Sequence, residues 1–235
     1  MCGIVGYIGD DKATPILLNG LEKLEYRGYD SAGVAVYQNH SVEVVKSKGR
    51  LKNLCDILTS DNHMTGTLGI GHTRWATHGE PSDINSHPHC SENGSFAVVH
   101  NGIIENYLYL RDYLMNKGKR FASETDTEVV AQLLEYYYNG NILDTIIKVL
   151  SKIEGAYALG IICKDDPDTL YAVRKDSPLI IGLGKGENFI ASDIPAIIDK
   201  TRDIYRLNDN EIAVIKRDNV TVYNEAKEII TKNKI

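Results

Sequence analysis

The chain has 235 residues, enough for one large or two small domains around a sizeable core. Its 43% hydrophobic and 25% charged residues are those of a globular protein, and 26 Lys and Arg against 32 Asp and Glu leave a formal charge of −6 with no dense basic run. That balance argues against nucleic acid and anionic membrane as partners, and no apolar stretch approaches the roughly 18 residues of a transmembrane helix.

Residues 2–9 alternate small and branched apolar residues between glycines, which predicts a buried strand, and Ile16, Leu17, Leu21 and Leu24 then fall at helical spacing within 12–26. Segments 32–38 and 41–47 flank Asn39-His40 as a hairpin, and a short helix over 50–59 leads into a strand at 67–72. Residues 74–94, rich in Gly, Pro, Ser, Asn and His, have no periodicity and are expected to form a long functional loop. A strand at 95–100 precedes helices at 105–117, 126–139 and 141–152. Strands are then expected at 156–163, 168–174, 179–184 and 187–191, a short helix at 193–199, and further strands at 204–207, 211–217 and 219–223. Helices between two batches of strands predict an α+β architecture of two stacked sheets with helices outside. No repeat or linker interrupts residues 1–223, and 224–235 read as a polar tail.

The cysteines at 2, 55, 90 and 163 are scattered without a Cys-x-x-Cys pair. No basic-then-apolar leader is present, and position 2 lacks the glycine that myristoylation requires; together these features predict reduced thiols and a cytoplasmic protein. Cys2 follows the initiator methionine. Removal of Met1 places a thiol and a free α-amino group on one residue, a nucleophile with its own base. By position alone, an ordinary small residue opening a buried strand is the commoner role.

Four other clusters carry chemistry. Arg27-Gly28-Tyr29-Asp30-Ser31-Ala32-Gly33 allows close backbone approach and an anion contact at Arg27, or is simply a turn. Gly71-His72-Thr73-Arg74-Trp75-Ala76-Thr77-His78-Gly79 gathers the chain's one Trp, a carboxylate-binding Arg and several donors at the mouth of the long loop. His100-Asn101-Gly102 offers an amide donor followed by an unhindered glycine N–H, the equipment of an oxyanion hole, and is equally a serviceable turn. Ser123-Glu124-Thr125-Asp126-Thr127-Glu128 reads as a capping box, in which Asp126 is also a partner for an ammonium. His87, Pro88, His89 and Cys90 crowd potential metal ligands together, but their spacing matches no standard zinc pattern, and no metal residue is assigned.

In this order and over 2–223, these motifs resemble the glutaminase domains of the class II glutamine amidotransferases, which are N-terminal nucleophile hydrolases. The run from Tyr26 to Gly33 is most similar to the branch that aminates fructose 6-phosphate, since relatives in purine and asparagine synthesis usually carry His where Tyr26 stands and Gln or Pro where Tyr29 stands. The 71–79 and 123–128 motifs agree with that branch.

The resemblance implies a four-layer αββα sandwich and a site without cofactor or metal. Cys2 attacks the side-chain amide of L-glutamine, with its α-amino group as proton shuttle. The Asn101 side chain and the Gly102 N–H hold the oxyanion. Arg74 binds the α-carboxylate and Asp126 the α-ammonium, Trp75, Thr77 and His78 belong to the closing loop, and Arg27 orders the region beside the nucleophile. In that family the glutaminase domain continues into sugar isomerase domains. The sequence given ends at Ile235 before any such domain, so the expectation is glutamine hydrolysis by a truncated enzyme, with 224–235 as the start of a linker. The rival expectations are a non-catalytic module that binds glutamine or a metal to regulate a partner, and the glutaminase domain of another class II amidotransferase.

Overall fold

The computed structural model describes residues 2–61, 64–76 and 78–235. Strand β1 (Gly3–Ile8) leads into α1 (Ala13–Glu22) and a 3-10 turn (Glu25–Arg27). The hairpin β2 (Ser31–Gln38) and β3 (Ser41–Lys48), α2 (Leu51–Asp61) and β4 (Leu68–Arg74) follow. Beyond the long loop lie β5 (His89–Cys90), β6 (Phe96–Ile104) and the helices α3 (Tyr107–Asn116), α4 (Thr127–Tyr137) and α5 (Ile142–Leu150). The remainder comprises β7 (Gly155–Cys163), β8 (Asp166–Lys175), β9 (Ile180–Leu183), β10 (Asn188–Ala191), a 3-10 turn (Ile194–Ala196), β11 (Ile204–Arg206), β12 (Ile212–Ile215), β13 (Val220–Tyr223) and β14 (Ile229–Ile230).

Among the described residues the strands form two seven-stranded sheets, ordered β11-β9-β10-β1-β4-β2-β3 and β14-β13-β12-β8-β7-β6-β5. Every pairing of neighbouring strands is antiparallel. Three apolar clusters separate four layers. Ile4, Ile8, Ala35 and Ile70 of the first sheet meet Ala97, Val99, Ala158 and Ile162 of the second. On the outer face of the first sheet, Val5, Tyr7 and Val34 pack on Leu17 and Leu21 of α1 and Leu54 of α2. On the outer face of the second, Phe96, Val98 and Leu159 pack on Val130 and Leu133 of α4 and Ile146 of α5. The molecule is thus the four-layer αββα sandwich anticipated from the sequence. Strands covered on both faces read as nearly continuous apolar runs, as β1 does, because neither side of the pleat meets water. No helix among the described residues is long and apolar enough to cross a membrane.

The hairpin forms as expected, with Asn39 (φ 51°) and His40 (φ 59°) both in the left-handed region that a two-residue type I′ turn requires. Two expectations need amendment. The 74–94 segment is not wholly loop, because His89–Cys90 pairs with Ala97 and Val98 of β6. The 224–235 tail is built into the fold: Ile229 and Ile230 pair with β13, Ile235 exchanges backbone hydrogen bonds with Ile204, and Lys232 pairs with Glu211. The tail is polar overall, but its isoleucines supply what an edge strand needs.

The two-residue period of the strands sets the direction of the key side chains. Cys2 precedes Ile4 by two residues, and Ile4 faces the layer between the sheets. Arg74 and His72 follow Ile70 on the same face of β4, and Asn101 follows Ala97 and Val99 on the facing side of β6. Three elements thereby deliver a thiol, a guanidinium and an amide to one end of the inter-sheet layer.

Candidate active site

Those side chains surround a cavity of about 360 Å³, lined also by Arg27, Trp75, Gly102, Thr125, Asp126 and Thr127. The Trp75 N–H donates to Cys2 Sγ at 3.2 Å. This backbone is closely placed: Asp30 accepts a hydrogen bond from the Ala76 N–H and donates its own N–H to the Arg74 carbonyl at 3.1 Å. Gly28 makes room for it, since a Cβ there would come within 2.7 Å of the Arg74 carbonyl carbon and 2.9 Å of the Trp75 nitrogen. The glycine is needed because any side chain would push away the peptide that holds the thiol. Burial pushes the Cys2 thiol above its ordinary pKa, while the Trp75 N–H and the nearby Arg74 charge act in the opposite direction. The resting thiol therefore needs a base beside it to become a thiolate.

Asn101 Nδ2 donates to the Cys2 carbonyl at 2.9 Å, which uses one of its two N–H donors and joins β6 to the start of β1. Gly102 adopts φ +122°, and a Cβ there would lie 2.0 Å from the Ala156 carbonyl oxygen. Only glycine fits between β6 and β7 at that point.

Arg74 is only 4% exposed. Its Nη2 donates to the His78 carbonyl and, at 3.1 Å, to the Gly79 carbonyl, whereas Nη1 is buried with no hydrogen-bond partner among the described residues. Burial lowers its pKa, with Asp30, Cys2 and Asp126 opposing the shift. A buried donor without an acceptor costs roughly 1–3 kcal/mol, more for a charged group, so this guanidinium is set to receive an anion.

Asp126 stands at the N-cap of α4 without capping it. Its Oδ2 accepts from the Ile104 N–H at 2.8 Å, and it is Glu128 that turns back to accept from the Ala122 and Ser123 N–H groups and the Ser123 hydroxyl. Glu128 thus ties the loop before α4 back onto the helix without the reciprocal bonds of a capping box, and the Asp126 carboxylate is left on the cavity wall.

Of the residues expected at a site, Cys2, Arg27, Arg74, Trp75, Asn101, Gly102 and Asp126 share the cavity. His78 sits outside its lining, edge-on to Tyr107 at 5.1 Å and with Nδ1 4.0 Å from Asp126. Thr77 lies outside the described residues. Trp75 is half exposed and edge-on to Tyr29, while Arg27 bonds Asp193 and the Tyr26 hydroxyl, tying the first 3-10 turn to the second. Sequence reasoning passed over Asp30 as a loop anchor, and over Asp176, Ser177 and Pro178 as a cavity wall. Asp176 at φ 55° is a turn signal that an Asp-Ser-Pro run carries, but nothing local says that it faces Cys2.

The suspected ligand cluster divides. His87 lines the Cys2 cavity, whereas His89 and Cys90 line a separate cavity of about 750 Å³. Among the described residues no group of three or more His, Cys, Asp or Glu is arranged to hold a metal ion. His72, His87, His89 and His100 are all buried, and burial depresses all four imidazoles.

A family model described as a glutamine amidotransferase domain matches residues 72–199, more than half of the chain. This chain belongs to that family. The domain is 65% identical over 220 residues to glutamine–fructose-6-phosphate aminotransferase (isomerizing) of Caldanaerobacter subterraneus subsp. tengcongensis, covering 94% of this chain and 36% of the relative. It is 58% identical over 232 residues to the protein of that name from Clostridium perfringens, covering 99% and 38% respectively. The domain thus spans little more than a third of these relatives. Among solved structures, the glutamine phosphoribosylpyrophosphate amidotransferase of B. subtilis, complexed with ADP and GMP, superposes with a TM-score of 0.83 at 26% identity, over 97% of this chain and 50% of that one. The αββα sandwich is accordingly the N-terminal nucleophile hydrolase fold of the glutamine amidotransferases.

Proposed function

We propose that the domain hydrolyses L-glutamine to L-glutamate and ammonia through a thioester on Cys2, and that it supplies this ammonia for making glucosamine 6-phosphate from fructose 6-phosphate. The observation that carries the hydrolytic reading is the meeting, on one cavity, of the Cys2 thiol, an amide donor with a spare N–H, an unpartnered buried guanidinium and a carboxylate. A ligand with an amide at one end and an amino acid at the other matches that set.

The Arg74 guanidinium takes the α-carboxylate and Asp126 the α-ammonium, placing the side-chain amide against Cys2. Loss of Met1 exposes the α-amino group of Cys2, which takes the thiol proton. The thiolate adds to the amide carbon, and the oxygen that becomes negative is held by the second N–H of Asn101 and the backbone N–H of Gly102. The Cys2 α-ammonium so formed returns its proton to the leaving nitrogen, ammonia departs, and water attacks the thioester to release glutamate and restore the thiol. The reaction so written draws on no cofactor.

Similarity to the aminotransferases that act with fructose 6-phosphate supports the amino-sugar assignment, as do Tyr26 and Tyr29. The sugar chemistry then belongs to isomerase domains beyond the matched third, with 224–235 as the approach to their linker. A cytoplasmic setting accords with four free cysteines.

Intact mass, followed by glutamine hydrolysis in the native domain, in Cys2→Ala and in a form with an uncleavable N-terminal extension, tests the reading. Loss of Met1, ammonia release by the native domain and none by either variant is the expected result. Full activity in the extended form would remove the α-amino group from the mechanism.

A further inference from the structure

Behind the cavity, one imidazole touches the amide donor itself. His72 enters the layer between the sheets from β4, fully buried. Its Nε2 lies 3.0 Å from Asn101 Oδ1, 3.0 Å from the His100 carbonyl oxygen and 3.1 Å from His87 Nδ1. The orientation of the Asn101 amide is settled at its other end. The group facing the Cys2 carbonyl at 2.9 Å must be the NH₂, because two oxygens at that distance would have no proton between them. Oδ1 therefore faces His72. Oδ1 and the His100 carbonyl are acceptors only, so Nε2 must carry the proton. Nδ1 is then the bare nitrogen, and it has no partner among the described residues.

We propose that His72 is a positioning residue for amide hydrolysis, its Nε2–H holding the Asn101 carboxamide so that the NH₂, not the oxygen, faces the reacting carbonyl. The proposal rests on the glutaminase reading above. Without the imidazole donor, Oδ1 is buried with nothing to accept from, and the Cys2 carbonyl alone is left to oppose rotation of the amide by half a turn. The rotated amide would present an oxygen to a developing oxyanion, replacing attraction with repulsion. Desolvation holds the His72 pKa down to about 3, so the neutral tautomer persists throughout the working pH range.

Glutamine kinetics on the native domain, His72→Phe and His72→Gln, with each substitution repeated in an Asn101→Ala background, separate positioning from packing. Outer partners that orient a reacting group are typically worth about 10–100-fold, and His72→Phe should lower kcat by that order while leaving KM for glutamine nearly unchanged. Affinity for glutamate γ-semialdehyde, whose aldehyde carbon accepts the Cys2 thiolate and leaves an oxyanion, should fall by the same factor. His72→Gln, which retains an N–H donor, should recover most of the activity. In the Asn101→Ala background His72→Phe should cost nothing further, because the group it orients is gone. Equal losses in both backgrounds, or full activity in His72→Phe, would overturn the proposal.

¹⁵N NMR of the native domain reads the tautomer independently of turnover. A protonated Nε2 and a bare Nδ1 are expected, and a protonated Nδ1 would refute the positioning role even in an active enzyme. A native domain that leaves glutamine intact would instead refute the glutaminase reading.

Discussion

The Asn101 carboxamide donates to the backbone carbonyl of Cys2 at 2.9 Å, linking the end of β6 in one sheet to the beginning of β1 in the other. The Cys2 backbone and the Asn101 amide are therefore positioned relative to each other by a direct bond, across two sheets whose shared layer is largely apolar. Asn101→Ala removes that bond together with the donor proposed to hold the oxyanion. Loss of one oxyanion donor typically costs about 10²–10³ in kcat, against roughly 1 kcal/mol of stability for one hydrogen bond. Glutamate release should fall by that order while the thermal midpoint moves little. Near-normal turnover would take Asn101 out of the mechanism.

Arg74→Lys tests the guanidinium. One nitrogen of Arg74 already serves the His78 and Gly79 carbonyls, and the other has no partner among the described residues and is available to a ligand. A single ammonium cannot do both. Truncating one side of a buried charge pair costs about 2–5 kcal/mol, so kcat/KM for glutamine should fall by a factor of roughly 30 or more, chiefly through KM. An unchanged KM would show that the carboxylate binds elsewhere.

Gly102→Ala places a methyl group 2.0 Å from the Ala156 carbonyl oxygen at a φ of +122°. Backbone strain of this kind costs on the order of 1–3 kcal/mol, and separating β6 from β7 would displace the Gly102 N–H as well. The variant should lose both stability and activity, as read by urea unfolding and glutamine hydrolysis. Activity at the native level would mean that the strands part without disturbing the site.

Acid should weaken the fold through its buried imidazoles. Burial is the first cause of the lowered pKa at His72, His87, His89 and His100, and for His72 the value falls from 6.5 to about 3. Between those limits the unfolded chain binds a proton that the folded one refuses. The stabilising contribution is thus whole above the unfolded value and is lost as pH falls towards the folded one, at up to about 1.4 kcal/mol per pH unit for each histidine. Urea midpoints should be flat above pH 7 and decline from about pH 6.5 downward, less steeply in His72→Phe. A midpoint that rises on acidification over that range would contradict the buried neutral cluster.

Local chemistry decided much of this protein. Alternating small and branched residues specified β1, Asn39-His40 the hairpin, and apolar spacing the helices, because period and turn chemistry act over a few residues. The motifs around Cys2, Arg74, Asn101 and Asp126 were legible for the same reason: each is a short run of reactive side chains beside a glycine or a helix start.

What no local pattern could settle was direction and company. Asp126 looked like a cap, and only the Ile104 N–H and the reach of Glu128 freed it for the cavity. The His87-Pro88-His89-Cys90 run looked like one ligand set, and its members line different cavities, His87 beside Cys2 and His89 and Cys90, the two residues of β5, in the other. Ile229 and Ile230 gained a strand only because the edge of β13 was open to them. His72, one residue in a run of donors, acquired its role from Asn101 on the opposite sheet. Sequence determines the chemistry each residue offers, whereas the stacking of two sheets decides which offers meet, because strands far apart in the chain must be packed before their inward faces share one layer.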